Sequence, residues 1–321
     1  MDAFSIEHML IGHECRLIRN LEQGIMPVAG LGSKDDFERM FEPAKLDSSG
    51  DNWGHRWRGS QKLRYRIYLR LLHEVIARSQ GWKVLDVGCG QSDFLLRLHK
   101  VYPEFEYHGV DISENVIAWN SRKYPFISYK QAALPDLGYP PLTFDLICAL
   151  EVLYYLEKAQ QKVALYNIMQ TLKPGGLLMV SGPLDGGKHY FAEGEILEAI
   201  GELLTIDRVE YNYARLYTYF EIPMLRILTL LRRINELLSM SHQDSERWAA
   251  RKHGWVIRVV GLARRRGVRE AISLGANTLI WLLKKVLGWE WLPRFCFELT
   301  KVLLRDVGRT HIIILARKQA M

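Results

Sequence analysis

The sequence has little cysteine and no long apolar run, and both absences narrow its class. Only four cysteines occur in 321 residues, and none forms a Cys-x-x-Cys pair or lies among histidines at metal-binding spacing. We therefore expect no metal site, no disulfide framework and a cytoplasmic location. No run of about 18 apolar residues is present, which argues against a spanning helix. The first ten residues lack the basic start and apolar core of a signal peptide.

Most of the chain has nearly equal numbers of basic and acidic residues, but one segment has an excess of basic residues. The formal net charge is +7, and residues 222–308 hold 16 Lys and Arg against 7 Asp and Glu. A basic segment favours an anionic partner, although a solvated helical face is the alternative. Nucleic acid is less favoured, because no RNA-binding motif or regular interleaving of aromatic and basic residues is present.

Part of this basic segment has the pattern of amphipathic helices. Pro223–Leu238 carries apolar residues at helical spacing, and Trp281, Trp289 and Trp291 accompany the pair Lys284–Lys285. Such a composition suits peripheral contact with a membrane interface. It equally suits a helical lid over a large or apolar acceptor. We keep both interpretations open from the sequence.

Short apolar runs alternate with helical stretches from residue 83 to residue 181, which predicts a parallel, doubly wound sheet. Two later strand-like segments, Thr205–Tyr213 and Thr310–Leu315, are separated by a long helical stretch. We predict a Rossmann-like, mostly parallel seven-stranded α/β sheet with an antiparallel last strand; a separate helical domain is the alternative for the stretch. The predicted divisions are an N-terminal helical cap (1–80), a core (81–213), a basic helical insertion (214–308) and a final strand with its tail (309–321).

The strongest chemical signal is the segment Val84-Leu-Asp-Val-Gly-Cys-Gly-Gln-Ser-Asp93, which follows the start of the first predicted strand. Gly88 and Gly90 permit a tight turn and a close backbone approach to a ligand. The N–H groups of the following helix suit a carboxylate. Asp86 suits an amino group, and Asp111, at the end of the second strand, suits two ribose hydroxyls. The segment therefore predicts a ligand site at the ends of these two strands.

This order of motifs resembles that of class I S-adenosylmethionine-dependent methyltransferases, whose first motif is an acid followed by Gly-x-Gly-x-Gly. The Glu-Val-Leu-Tyr-Tyr-Leu segment and Trp53 are similar to small-molecule members such as nodulation-factor N-methyltransferases. A nicotinamide enzyme is disfavoured, since Asp93 would face a pyrophosphate. The further matching segments are Gly109–Asp111, Phe144–Ile147, Glu151–Leu156 and Leu172–Gly176.

The resemblance implies S-adenosylmethionine as the cofactor, bound in the turn and along the second, third and fourth strands. Two positions depart from the family pattern: Ser92 replaces its third glycine, and residues 131–134 lack the acid that faces the adenine amine, which leaves backbone groups for that contact. Cys89 is expected to be a small turn residue rather than a nucleophile. The expected cofactor-binding residues are Asp86, Gly88, Cys89, Gly90, Asp93, Asp111, Ile112, Ala133, Leu134, Leu150 and Glu151.

The acceptor is expected to be a small molecule, such as a glycan, a lipid-linked compound or a secondary metabolite, methylated on oxygen or nitrogen. Glu151 follows the fourth strand and is predicted to contact cofactor or acceptor, with a helix-start acid as the alternative. His189, in the loop after the fifth strand, is the candidate general base, and Tyr154 is predicted to line the pocket. The other functions considered are an RNA or protein methyltransferase that uses the basic insertion as a clamp, and a non-catalytic adaptor that retains the fold.

Overall fold

The computed structural model contains one mixed sheet with helices on both faces. Its strands in chain order are β1 (Lys83–Val87), β2 (Glu106–Asp111), β3 (Ile127–Gln131), β4 (Phe144–Leu150), β5 (Leu172–Pro183), β6 (Thr205–Asn212) and β7 (His311–Arg317). Their spatial order is β3-β2-β1-β4-β5-β7-β6, and β7 runs in the direction opposite to the other six strands. The predicted fold class is therefore confirmed. The structure describes residues 33–43, 46, 51, 54–184, 189–190, 192–239 and 266–319.

The helices pack on the two faces because the central strands are apolar on both sides. Leu85 and Val87 of β1 belong to one core cluster, and Val84 of the same strand belongs to the other. Burial of alternate residues on opposite faces is what the two-residue repeat of a strand requires. The helices are α1 (Lys34–Met40), α2 (Gly59–Ile76), α3 (Asp93–His99), α4 (Glu114–Lys123), α5 (Lys158–Thr171), α6 (Glu193–Gly201), α7 (Arg215–Ser239), α8 (Arg266–Gly288) and α9 (Trp291–Leu303).

The stretch between β6 and β7 is helical where it is described, and it packs against the start of α2. The side chains of Arg58 and Glu221 form a buried ion pair of 2.6 Å, and the Ser60 hydroxyl donates to the same carboxylate at 2.6 Å. A Cβ on Gly59 would lie 2.1 Å from the carbonyl oxygen of Trp289, so glycine permits this close approach. Trp53, which carried part of the resemblance, lies outside the described residues.

The segment Lys173–Gly176 has the sequence Lys-Pro-Gly-Gly, which by itself predicts a turn. These residues lie inside β5, whose register against β4 jumps between the pairs Phe144–Leu172 and Leu146–Leu177. The Gly175 N–H donates to the Lys318 carbonyl, and the Lys318 N–H donates to Gly176. The four residues thus bulge away from β4 and pair with the chain's tail, a long-range partner that turn-forming residues alone do not indicate.

None of the helices in the described ranges is long and apolar enough to span a bilayer.

Candidate functional site

A cavity of about 900 Å³ lies where β1, β2 and β4 end. This edge of a doubly wound sheet is where its loops converge and ligands bind. The cavity wall is shared by the loops after these strands, by α2, and by the first turns of α7. It therefore has one half next to the glycine turn and another half under the helical insertion.

The turn after β1 is held by backbone hydrogen bonds that only glycine allows in this shape. The N–H groups of Gly88 and Cys89 both donate to the Val110 carbonyl at 2.9 Å. Gly88 has φ +73°, and a Cβ there would lie 2.6 Å from a methyl of Val152. The turn therefore presses against the loop after β4, with Gly88, Cys89 and Gly90 all on the cavity wall.

Ser92 occupies the position of the third glycine in the family pattern. It adopts the left-handed conformation, φ +62°, immediately before α3, and such a conformation is costly for residues with a Cβ. The hydroxyl of Tyr129 donates to the Ser92 hydroxyl at 2.8 Å. This contact from β3 holds the serine in the conformation that the glycine would adopt freely.

Two buried carboxylates face this half of the cavity. Asp111 accepts hydrogen bonds from the backbone N–H groups of Gly90, at 2.9 Å, and Ser113, at 3.0 Å. Asp86 has no hydrogen-bond donor among the described residues. Burial, followed by the charge of Asp111, raises the pKa of Asp86, and burial raises the pKa of Asp111. A buried acceptor without a donor fits the ammonium end of S-adenosylmethionine, which would supply both hydrogen bonds and positive charge.

The other predicted cofactor residues are distributed along the same wall. Ile112, Ala133, Leu134 and Leu150 all line the cavity. Gln131 donates its side-chain amide to the Ile112 carbonyl at 3.1 Å, so this polar group is already engaged. No acidic side chain follows β3 within residues 131–134, and the backbone of that loop remains the source of adenine contacts that the sequence predicts.

Asp93 and Cys89 have roles in the turn itself. Asp93 begins α3, and its carboxylate accepts from the Arg56 guanidinium at 2.8 Å, which fastens the segment before α2 to the glycine turn. Burial raises the pKa of the Cys89 thiol well above its ordinary value. A thiol in that state is a poor nucleophile, in agreement with a structural role for Cys89.

Glu151 is the centre of a polar cluster in the second half of the cavity. It follows β4 in the left-handed conformation, φ +57°. The Arg64 guanidinium of α2 lies 3.0 Å from the carboxylate, and the hydroxyls of Tyr68 and Ser181 donate to it at 3.2 and 3.0 Å. Helix α5 begins only at Lys158, so the helix-start interpretation of Glu151 does not apply.

The charge states in this cluster follow from its contacts. Burial opposes the ionisation of Glu151, but Arg64, His311 and the two hydroxyl donors outweigh it, so the pKa of Glu151 lies below its ordinary value. The His311 imidazole lies 3.5 Å from the carboxylate. Burial is the largest influence on His311 and lowers its pKa to about 4, against the opposing effect of Glu151. At neutral pH the cluster therefore contains a carboxylate, a guanidinium and a neutral imidazole.

The structure brings Tyr154 to the cavity but not His189. The Tyr154 ring lies tilted against that of Tyr155, with centroids 4.6 Å apart, and meets the Tyr190 ring edge-on at 5.7 Å. All three tyrosines line the cavity. The His189 carbonyl accepts from the Gln161 amide, and its side chain is not part of the cavity wall. The loop therefore contributes Tyr190 in the place expected for His189.

Sequence reasoning missed Arg64, Tyr68 and His311. The signal for His311 was available: β7 is antiparallel, so its first residue lies at the edge where the parallel strands end, paired with Pro183 of β5. Arg64 and Tyr68 lie four residues apart on α2, on one helical face. Nothing in their spacing indicates that this face turns to the loop after β4.

Comparison with known proteins finds methyltransferases that are similar to the part of the chain that forms the cofactor half of the cavity. Residues 84–176 match a family described as "Methyltransferase domain". The ubiquinone/menaquinone biosynthesis C-methyltransferase UbiE of Syntrophotalea carbinolica is 30% identical over 149 residues, which is 43% of this chain and 61% of that protein. The trans-aconitate 2-methyltransferase of Methylobacterium nodulans is 33% identical over 101 residues, 32% of this chain and 38% of that protein.

Among solved structures, the N-methyltransferase NodS from Bradyrhizobium japonicum in complex with S-adenosyl-l-homocysteine matches with a TM-score of 0.46 and 22% identity. The match covers 56% of this chain and 90% of NodS. The chain spans less than two thirds of the length of the curated relatives described above. The family match and the glycine turn coincide, so residues 84–176 are a methyltransferase domain.

Proposed function

We propose that the chain transfers a methyl group from S-adenosylmethionine to an oxygen or nitrogen atom of a small acceptor held in the same cavity. One observation carries this proposal: the glycine turn with Asp86 and Asp111 shares a cavity of about 900 Å³ with the cluster of Arg64, Glu151 and His311. A volume of this size lies in the upper range for small-ligand sites. It accommodates a cofactor and an acceptor side by side.

The cofactor half supplies binding and orientation. Asp111 would hold the ribose hydroxyls, Asp86 the ammonium group, and the loop at Ala133 and Leu134 the adenine. The bound sulfonium supplies an electrophilic methyl group. The protein's contribution is then to align acceptor and methyl and to exclude water, which in model reactions is worth up to roughly 7–11 kcal/mol.

The acceptor half contains an imidazole that is neutral at neutral pH. A pKa of about 4 makes His311 a weak base, and the Glu151 carboxylate beside it would stabilise the imidazolium that forms when the acceptor loses its proton. Glu151 itself is ionised and accepts from several donors, which suits an orienting charge. We therefore assign to His311 a hydrogen bond that orients the acceptor and takes up its proton as the methyl group is transferred, and to Glu151 the positioning of His311.

A small acceptor is supported by the form of the site and by the relatives. The reacting half lies under the first turns of α7, with Tyr219 and Pro223 at its exposed rim. The matched relatives include trans-aconitate 2-methyltransferases and a fatty-acid O-methyltransferase from Mycolicibacterium smegmatis. A non-catalytic adaptor would have no use for a buried Asp86 to which none of the described residues donates a hydrogen bond.

Calorimetric titration of the full chain with S-adenosylhomocysteine tests the proposal, with NADH as the control ligand. We expect dissociation constants for S-adenosylhomocysteine in the micromolar range, about −8 kcal/mol, and no heat from NADH. A panel of small carboxylates, alcohols and amines is then screened for release of S-adenosylhomocysteine. A folded sample that binds neither ligand contradicts the proposal.

The neutral state of His311 predicts an acid-sensitive stability. The unfolded histidine binds a proton near pH 6.5, whereas the folded one does so only at about pH 4. Between these values the unfolded state holds more protons, so the free energy of unfolding falls as the pH falls, by no more than about 1.4 kcal/mol per pH unit for this group. Above pH 6.5 the contribution is fully present.

Urea denaturation at pH values between 7 and 4 measures this slope. His311→Gln is expected to reduce the slope of the free energy of unfolding against pH by up to about 1.4 kcal/mol per pH unit, which corresponds to one proton. His55 gives a matched comparison, since burial lowers its pKa to about 3, and His55→Gln should act in the same direction. An unchanged slope in His311→Gln would show that the imidazole is already protonated in the folded state.

A further inference from the structure

Helix α9 has three faces of different chemistry. Pro293 and Thr300 are buried, and Phe297 packs against the core with its ring 5.5 Å from that of Tyr213. The opposite side carries an exposed apolar stripe that spans about 120° of the helix. Its members are 60% (Trp291), 59% (Phe295), 36% (Leu299), 71% (Val302) and 64% (Leu303) exposed.

Basic side chains run along one edge of this stripe. Arg294 and Lys301 of α9 and Arg305 of the following turn are exposed, and none of the three has a carboxylate partner among the described residues. Of the acids near this edge in the described residues, Glu290 pairs with Arg66 at 2.9 Å and Asp306 with Arg309 at 2.7 Å, which leaves Glu298. The edge therefore carries a net positive charge, next to apolar side chains that project into solvent.

The stripe continues toward the preceding helix through tryptophan. Trp289, in the turn between α8 and α9, is exposed and lies against Trp291, with ring centroids 6.0 Å apart. Large exposed aromatic and aliphatic groups in a row are uncommon on a soluble surface and mark a place of contact. Tryptophan beside lysine and arginine is the composition that the headgroup region of a bilayer accommodates.

We propose that the α9 stripe docks the chain on an anionic lipid surface, with the apolar stripe between the acyl chains and headgroups and the basic edge on lipid phosphates. The apolar stripe and the basic edge lie side by side on the helix, which favours a lipid surface over RNA. An RNA backbone would contact the basic edge but leave the apolar stripe in water. The pairing of charge with apolar exposure also distinguishes it from a second copy of this chain, whose identical basic edge would be repelled.

Docking also sets the orientation of the cavity. Val307, in the turn that follows α9, is exposed and lies on the cavity wall, as does Tyr219 of α7. A helix that lies on lipid through Val302 and Leu303 thus brings this rim of the cavity close to the headgroups. The docking itself does not depend on the proposed function.

Co-sedimentation of the full chain with vesicles tests the proposal. We expect stronger binding to phosphatidylcholine vesicles that contain phosphatidylglycerol than to phosphatidylcholine alone, with the difference reduced by salt. Phe295→Ser combined with Val302→Ser should lower the partition coefficient about tenfold or more. Arg294→Gln combined with Lys301→Gln should remove the preference for the anionic vesicles.

A matched control lies on the other face of the sheet. Val163 and Tyr166 of α5 are about half exposed, and α5 packs on the opposite core cluster, so Val163→Ser with Tyr166→Ser should leave vesicle binding unchanged. Equal binding by the stripe variant and the wild type overturns the proposal. A lower thermal stability of the stripe variant also overturns it, because the chain itself would then cover the stripe. A change in the oligomeric state of the stripe variant without lipid overturns it as well, because a second copy of the chain would then cover the stripe. RNA that competes with vesicles for the wild type but not for the Arg294 and Lys301 variant would overturn it in favour of nucleic acid.

Discussion

Replacement of Asp111 by alanine is expected to lower the affinity for S-adenosylhomocysteine by about 100-fold or more. The carboxylate anchors the turn by accepting from Gly90 and Ser113, and it is the group placed to accept the ribose hydroxyls. Hydrogen bonds to a charged group contribute about 1.5–3 kcal/mol each. The variant loses at least the hydrogen bonds from the ribose hydroxyls, and it leaves the Gly90 N–H beside the ligand without an acceptor. Calorimetry with the purified variant measures the loss.

Two further variants separate the charge from the shape of the turn. Asp111→Asn keeps an oxygen that can accept from one backbone N–H, and should bind with an affinity between those of the wild type and Asp111→Ala. Asp93→Asn weakens the contact with Arg56 without touching the ribose position, so its effect should be smaller. If Asp111→Ala retains wild-type affinity while folded, the ribose does not bind at the end of β2.

The cofactor half was predictable because its determinants are close in sequence. The turn from Asp86 to Gly90 needs only the end of one strand and the start of one helix, and its glycines are required by local geometry. Asp111 needs one further step, the pairing of β1 with β2, and consecutive strands in a doubly wound fold pair side by side. These features can therefore be recognised without knowing how the rest of the chain folds.

The acceptor half was only partly predictable, since its residues come from distant elements. Glu151 ends β4 and was identified from that position. Its partner Arg64 comes from α2 and His311 from β7, so the cluster exists only after the helix packs on the sheet and the last strand inserts between β5 and β6. His189 was chosen because its loop follows β5, but that loop directs Tyr190 to the cavity instead.

The ion pair between Arg64 and Glu151 predicts a coupled effect on stability. Each single variant, Arg64→Met or Glu151→Gln, leaves the other charge partly buried without its partner, and the cost should lie below the range of about 3–5 kcal/mol for a fully buried pair. The double variant removes both charges, keeps similar volumes, and retains at position 151 an amide oxygen that can accept from Tyr68 and Ser181. We therefore expect the double variant to be at least about 2 kcal/mol more stable than the sum of the single effects implies.

Urea denaturation of the four proteins completes this double-mutant cycle, with calorimetry on the same samples as the functional readout. Because the pair lies on the acceptor side, the double variant should bind S-adenosylhomocysteine as the wild type does, while methyl transfer to an identified acceptor falls with the loss of the charge beside His311. Additive stability effects would mean that Arg64 and Glu151 are each solvated through the cavity rather than paired. A double variant that is stable but no longer binds S-adenosylhomocysteine would move Glu151 from the acceptor half to the cofactor half of the site.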